Sequence, residues 1–88
     1  MQLPDNLDLK AAGPLREALL GARGAALQVD ASAVRRLGGL CLQVLLSAEA
    51  TWATDGHDFV ISPASAAFAE GARRMGAHAL ASDSIIQE

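Results

Sequence analysis

The stretch from Leu27 to Trp52 constrains the fold of this chain more than any other part of the sequence. It reads LQVDASAVRRLGGLCLQVLLSAEATW. Alternating apolar residues at its start predict a strand that ends near Asp30, and a short polar loop follows. From about Leu37 to Thr54, apolar residues cover nearly the whole surface of a predicted helix, which is typical of a helix buried between layers or at an interface. A strand joined this closely to a buried helix predicts half of a βαβ unit.

Two further helices and a second strand complete the predicted architecture. Asp8 is the expected N-cap of the first helix, and Pro14 lies either in its first turn or at the start of the regular helix. A strand is predicted at Phe59–Ile61 and is expected to end at Ser62-Pro63. The last helix has an apolar face that consists of Ala67, Phe68, Gly71, Ala72 and Met75. We therefore predict an α/β fold in one domain over residues 1–88, with helices packed on a small mixed β-sheet.

The two ends of the chain carry weaker signals. Met1–Leu3 predicts a short extended segment that ends at Pro4, and Ile85-Ile86 predicts either a short strand or a terminal turn. The N-terminal residues lack the basic-plus-apolar pattern of a signal peptide, and no apolar run approaches about 20 residues. We therefore expect a cytoplasmic protein without direct membrane insertion.

Composition excludes some classes of function. The chain has 88 residues, of which 51% are apolar, and its formal net charge is -3. Seven basic residues spread along such a chain form no cationic stripe, so nucleic-acid binding is not expected. The excess of apolar surface on the long helix is compatible with a homodimer.

The sequence lacks the motifs of the common enzyme classes. It contains neither a glycine-rich phosphate loop nor G-x-S-x-G, and His57 and His78 have no carboxylate or cysteine at metal-ligand spacing. Cys41 is interpreted either as a small buried apolar residue or as a thiol activated by a helix N-terminus. Trp52 is interpreted as a core residue or as an interface anchor. We predict a protein that is not an enzyme and uses no metal or cofactor.

The chain resembles a STAS domain, the family of sulfate transporters and anti-sigma-factor antagonists. Three successive segments carry the resemblance, at residues 29–34 (VDASAV), 37–40 (LGGL) and 42–46 (LQVLL). Residues 7–12 with Leu15 resemble the first helix of the family, and Trp52, Gly56, Phe59 and Ser65-x-x-Phe68 match its later elements. The resemblance is strongest to small standalone members from partner-switching and chemotaxis-type signalling. It implies a small mixed sheet with helices and a non-catalytic role in binding a protein partner, often a kinase-like anti-sigma factor.

The sequence departs from the family pattern where the long helix begins. Members commonly carry Asp-Ser or Asp-Thr there, and the partner kinase phosphorylates the hydroxyl. Here the matching residues are Gly38 and Gly39, and no Ser, Thr or Tyr lies between Ser32 and Ser47. A phosphate at this helix N-terminus would be stabilised by the dipole and by free N–H groups, but no hydroxyl is present to carry it. We infer that the phosphorylation switch is missing, with Gly39 at the phosphoacceptor position.

The loop and the start of the long helix are the predicted partner-binding site. Several of its residues have a second interpretation: local loop hydrogen bonds for Asp30 and Ser32, solvated cations for Arg35 and Arg36, and a tight turn for the glycines. The predicted partner-binding residues are Asp30, Ser32, Arg35, Arg36, Gly38, Gly39 and Gln43. We expect a regulatory module that binds a kinase-like anti-sigma factor or a chemotaxis signalling protein. The alternatives are a small subunit of a membrane transport complex that binds its ATPase and, less favoured, an enzyme or small-ligand binder.

Overall fold

A computed structural model describes residues 1–76 of the chain. The predictions for His78 and for Ile85-Ile86 concern residues outside the described part. Within it the strands are β1 (Asn6–Leu7), β2 (Leu27–Ala31), β3 (Arg36–Leu37) and β4 (Phe59–Ala64). The helices are α1 (Ala12–Gly21), α2 (Gly39–Asp55) and α3 (Ala66–Arg74), and a 3₁₀ turn at Leu9–Ala11 precedes α1.

The strand pairings agree with the α/β prediction and refine it. β2 pairs with β4 in parallel, with Leu27 opposite Phe59 and Val29 opposite Ile61. β1 pairs with β3, also in parallel. The predicted extended segment at Met1–Leu3 is confirmed, because the Leu3 N–H donates to the Asp30 carbonyl at 2.9 Å. The described strands therefore form two small parallel sheets, where the sequence suggested one mixed sheet.

Local side chains cap the 3₁₀ turn that leads into α1 and the start of α3. The Asp8 carboxylate accepts a hydrogen bond from the Ala11 N–H at 3.2 Å, as predicted, and so caps the 3₁₀ turn. Pro14 lies in the first turn of α1, where a missing N–H costs little. The Ser65 hydroxyl accepts a hydrogen bond from the Phe68 N–H at 3.0 Å and caps α3.

Two predicted boundaries were wrong. The long helix begins at Gly39 and not at Leu37, because Arg36 and Leu37 pair with β1 as the short strand β3. The strand at Phe59 does not end at Ser62-Pro63 but continues to Ala64, through a cis peptide bond before Pro63 and a shift of register.

The core lies between the helices and the sheets. α1 and α3 bury residues spaced three or four apart, as expected for one apolar face per helix. The long helix was predicted to be apolar nearly all round, but it too buries only one face. In α2 this face comprises Cys41, Leu42, Leu45, Ala48 and Trp52. The buried side chains of the described part form one cluster that also includes Leu3, Leu7, Val29, Val34, Ile61 and Phe68. This cluster fixes the position of α2 and so of the loop that leads into it.

Candidate functional site

The predicted site begins at the carboxyl end of β2, where Asp30 and Ser32 interact with each other. The Asp30 carboxylate accepts hydrogen bonds from the Ser32 hydroxyl at 2.6 Å and from the Ser32 N–H at 2.8 Å. These two bonds, the hydroxyl's first, lower the pKa of Asp30 below its ordinary value. The contacts match the local, loop-forming interpretation of this pair. Asp30 and Ser32 therefore shape the loop, whatever else they contact.

The backbone of the following loop is fixed from two sides. Val34 is buried, and its carbonyl accepts a hydrogen bond from the Ser65 hydroxyl. The Arg35 and Arg36 N–H groups both donate to the Asp5 carbonyl, at 2.7 and 3.1 Å. The loop is thus held by hydrogen bonds to the residue before β1 and to the N-cap of α3.

The side chains of Arg35 and Arg36 point away from this fixed backbone. Both residues are exposed, and neither guanidinium forms an ion pair with a residue in the described part of the chain. They lie just before α2, at the positive end of its dipole, where a cation is not stabilised. Two unpaired arginines held here leave a positive surface available to an acidic partner.

Gly38 and Gly39 have different environments. A Cβ at Gly38 would lie 2.9 Å from the Leu7 carbonyl oxygen, which also accepts the Gly38 N–H at 2.9 Å. The backbone that approaches Gly38 closely is therefore the chain's own β1. A Cβ at Gly39 would meet no heavy atom nearer than the Met75 Sδ, at 3.9 Å. Position 39 can thus accept a side chain, and its glycine is not required by packing.

Sequence reasoning missed two exposed apolar side chains beside Gly39. Leu40 is 49% exposed and Met75 is 43% exposed, although the sequence placed both on buried helix faces. The buried face of α2 runs through Cys41, Leu45 and Ala48 at helical spacing, and Leu40 is out of phase with it. That phase was the signal that could have identified Leu40. We give the name α2 N-terminal surface to the exposed and half-exposed residues Asp30, Ser32, Arg35, Arg36, Gly38, Gly39, Leu40, Gln43 and Met75.

Gln43 lies at the edge of this surface. It is exposed one helical turn after Gly39, and it also lines a cleft between α1 and α2. The structure thus brings Asp30 and Ser32 into direct contact and places the two glycines on the entry to α2. It gives no hydrogen bond or ion pair between the side chains of Arg35, Arg36 and Gln43 and the other predicted residues of the described part.

Cys41 and Trp52, which lie outside this surface, have structural roles. Cys41 is fully buried and its thiol donates to the Asp8 carbonyl at 3.3 Å, while burial, and then the Asp8 charge, raise the pKa of the thiol. The activated-thiol interpretation is therefore wrong. Trp52 is 2% exposed and its Nε1 donates to the Ala25 carbonyl at 2.8 Å, so it is a core residue.

Residues 1–76 contain neither a metal-ligand cluster nor a membrane-spanning helix. No three His, Cys, Asp or Glu side chains in this range are grouped closely enough to hold a metal ion. None of the three helices there has the length and hydropathy that a membrane crossing requires.

Comparison with known proteins gives one match. A family model described as "Mlab, STAS domain" matches residues 1–86, nearly the whole chain. No curated protein and no solved structure matches the chain significantly.

Proposed function

Since the chain belongs to the STAS domain family, whose members are generally non-enzymatic binding modules, we propose that it docks onto a protein partner through the α2 N-terminal surface. The observation that carries the proposal is that the start of α2 exposes both kinds of group. Leu40 and Met75 are apolar, and Arg35 and Arg36 are cations without an ion-pair partner in the described part of the chain. An apolar centre beside charged residues is the usual composition of a transient interface. The partner surface should therefore be apolar with an acidic rim.

Docking is proposed to be independent of phosphorylation on α2. Gly39 occupies the position where relatives carry a hydroxyl, and its surroundings would accept a serine without a clash. The missing hydroxyl is therefore a property of the sequence and not a consequence of crowding. The nearest hydroxyl before the helix, that of Ser32, is bonded to Asp30.

The first candidate partner is a cytoplasmic signalling protein, either a kinase-like anti-sigma factor or a chemotaxis protein. The support for this class is the resemblance of the loop and α2 to small standalone STAS proteins. In such a role the chain would regulate its partner by occupancy alone, because it offers no hydroxyl at position 39 to a kinase.

The second candidate is the ATPase of a membrane transport complex, with this chain as a small non-enzymatic subunit. The missing hydroxyl specifically favours it, because a permanently docked subunit needs no modifiable residue at its interface. Affinity purification from the native cells separates the two candidates: a signalling kinase or receptor is recovered in the first case and a transporter ATPase in the second.

Charge reversal tests the docking surface once the partner is purified. Arg35→Glu and Arg36→Glu should each weaken binding measured by titration calorimetry, by roughly fivefold or more, while thermal unfolding stays unchanged. Lys10→Glu is the matched control, since it makes the same charge change at an exposed site outside the surface. Equal affinities for all of these variants would remove the α2 N-terminal surface from the proposal.

The missing switch has its own test. Incubation of the chain with its partner kinase and ATP, followed by peptide mapping, should give no phosphate on residues 32–47, where Ser32 and Ser47 carry the only hydroxyls. Gly39→Ser restores a hydroxyl at an uncrowded position and serves as the positive control. Efficient labelling of the unsubstituted chain near the start of α2 would contradict the proposal.

A further inference from the structure

A cleft of about 330 Å³ lies between α1 and α2. Its floor is apolar and buried, with Leu19 from α1 and Ala48 and Trp52 from α2. Leu20 forms part of one wall and is 49% exposed, so a large apolar side chain faces solvent here. An apolar floor with an exposed apolar wall favours burial by a bound group.

The two sides of the cleft carry polar side chains at helical spacing. On the α1 side they are Arg16, within the helix, and Arg23, two residues after its end, and on α2 they are Gln43, Ser47 and Thr51. From Gln43 to Thr51 the cleft runs about 12 Å along α2, at roughly 1.5 Å per residue. The cleft is therefore an apolar stripe about two helical turns long between two polar edges.

The charge of the cleft is positive, although the chain as a whole is acidic. Two of the lining residues are arginines, and none of those in the described part is Asp or Glu. Arg23 is neutralised by Asp55, which accepts hydrogen bonds from its guanidinium at 2.8 and 3.2 Å. Arg16 is exposed and forms no ion pair within residues 1–76. One unpaired cation at the edge of an apolar stripe complements a carboxylate on an otherwise apolar face.

We propose that this cleft is a second docking site, which binds an amphipathic helix of a protein partner that carries acidic residues beside its apolar face. A helix fits because an apolar stripe between two polar edges matches the apolar face of one helix lying in the cleft between α1 and α2. Its apolar side chains cover Leu20 and Val44, and a carboxylate at its edge pairs with Arg16. The site does not depend on the α2 N-terminal surface, which it meets at Gln43.

A pair of synthetic peptides tests the proposal with the full-length protein. Each peptide has about 15 residues, is held helical by a side-chain cross-link, and carries the same leucine stripe. One has glutamates beside the stripe and the other has lysines. Fluorescence anisotropy should show that the glutamate peptide binds the unsubstituted protein more tightly than the lysine peptide. Arg16→Glu should weaken the glutamate peptide by roughly fivefold or more and strengthen the lysine peptide.

Matched apolar variants locate the binding. Leu20→Ala should weaken the glutamate peptide, whereas Leu9→Ala should not, because Leu9 is exposed but lies outside the cleft. Arg35→Glu should also leave peptide affinity unchanged, because Arg35 lies outside the cleft. A negative peptide result would therefore refute only the cleft proposal, since the proposed function is tested separately by partner binding.

Three outcomes would overturn the proposal. The first is that the glutamate and lysine peptides bind the unsubstituted protein with equal affinity and that Arg16→Glu changes neither affinity. The second is a dimer in sedimentation equilibrium that Leu20→Ala dissociates, which assigns the cleft to a second copy of the chain. The third is a set of NMR contacts between residues 77–88 and Leu20 in the peptide-free protein, which assigns it to the chain's own C-terminal residues.

Discussion

The two ends of α2 are built differently. At the carboxyl end, Trp52 is buried and its Nε1–H donates a hydrogen bond to the Ala25 carbonyl. Gly56 caps the helix there in the left-handed backbone conformation. At the amino end, Gly38 caps the helix without a side-chain hydrogen bond, and Leu40 is half exposed. One end is therefore satisfied by the chain itself, while the other leaves apolar and cationic groups exposed. The carboxyl end thus serves stability, whereas the proposed function assigns recognition to the amino end.

The largest difference in stability should appear when one apolar side chain at each end of α2 is shortened to alanine. Trp52→Ala should reduce the free energy of unfolding by about 3–5 kcal/mol, because it empties the core against Phe59 and leaves the Ala25 carbonyl without its donor. Leu40→Ala should cost less than about 1 kcal/mol, because half of that side chain is already in water. Urea denaturation measures both.

Trp52→Phe is the control within this pair, since it keeps an aromatic ring and removes only the indole donor. Its loss of stability should lie between those of Trp52→Ala and Leu40→Ala. If Leu40→Ala destabilised the protein as much as Trp52→Ala, the assignment of the amino end to recognition would be wrong.

The next largest stability effect should distinguish Gly38 from Gly39 at the amino end of α2. Gly38→Ala should destabilise by about 1–3 kcal/mol, because its Cβ would collide with the Leu7 carbonyl and strain the contact between β1 and β3. Gly39→Ala should be neutral or stabilise by up to about 1 kcal/mol, since alanine favours the helix and the space is open. Thermal unfolding of the two variants gives the comparison, and a reversed order would refute this account of the glycines.

The smallest effect concerns the ion pair at the carboxyl end. The Arg23 guanidinium, mainly by its hydrogen bond, lowers the pKa of Asp55 in the folded protein. The stabilisation is therefore present above the pKa of Asp55 in the unfolded chain and is lost as pH falls through the lower pKa of the folded state. Asp55→Asn should reduce the acid sensitivity of stability slightly, because the pair is exposed to solvent.

NMR titration of the Asp55 side-chain carboxyl checks the direction of this pKa. Arg23→Gln is the control, and it should return the pKa of Asp55 towards its ordinary value. A pKa of Asp55 that Arg23→Gln left unchanged would show that the ion pair is not formed in solution.

The sequence predicted the parts of the fold that follow from local pattern. The Asp8 cap, the strand at Leu27 and the end of the long helix at Asp55-Gly56 are all confirmed, because each depends on residues close together in the chain. The start of α2 was misplaced because β3 exists only through pairing with β1, about 30 residues earlier. The extension of β4 past Pro63 likewise depends on its pairing with Ala31.

The sequence suggested where a binding site could lie but not how its residues are arranged. Family resemblance located the loop and the start of α2, and the sequence alone showed that a hydroxyl is absent there. The different roles of Gly38 and Gly39 depend on the Leu7 carbonyl, which no local pattern reveals. The exposure of Met75 depends on how α3 packs beside β3 and α2, and its place in an apolar periodicity suggested burial instead.

NMR mapping of the chain with its purified partner tests the central claim most directly. The isotope-labelled protein is titrated with the unlabelled partner, and the amide signals that shift or broaden are assigned to residues. The account predicts changes concentrated at Asp30–Gln43 and Met75, with Trp52–Phe59 unaffected. Changes concentrated at the carboxyl end of α2, with the amino end unperturbed, would contradict it.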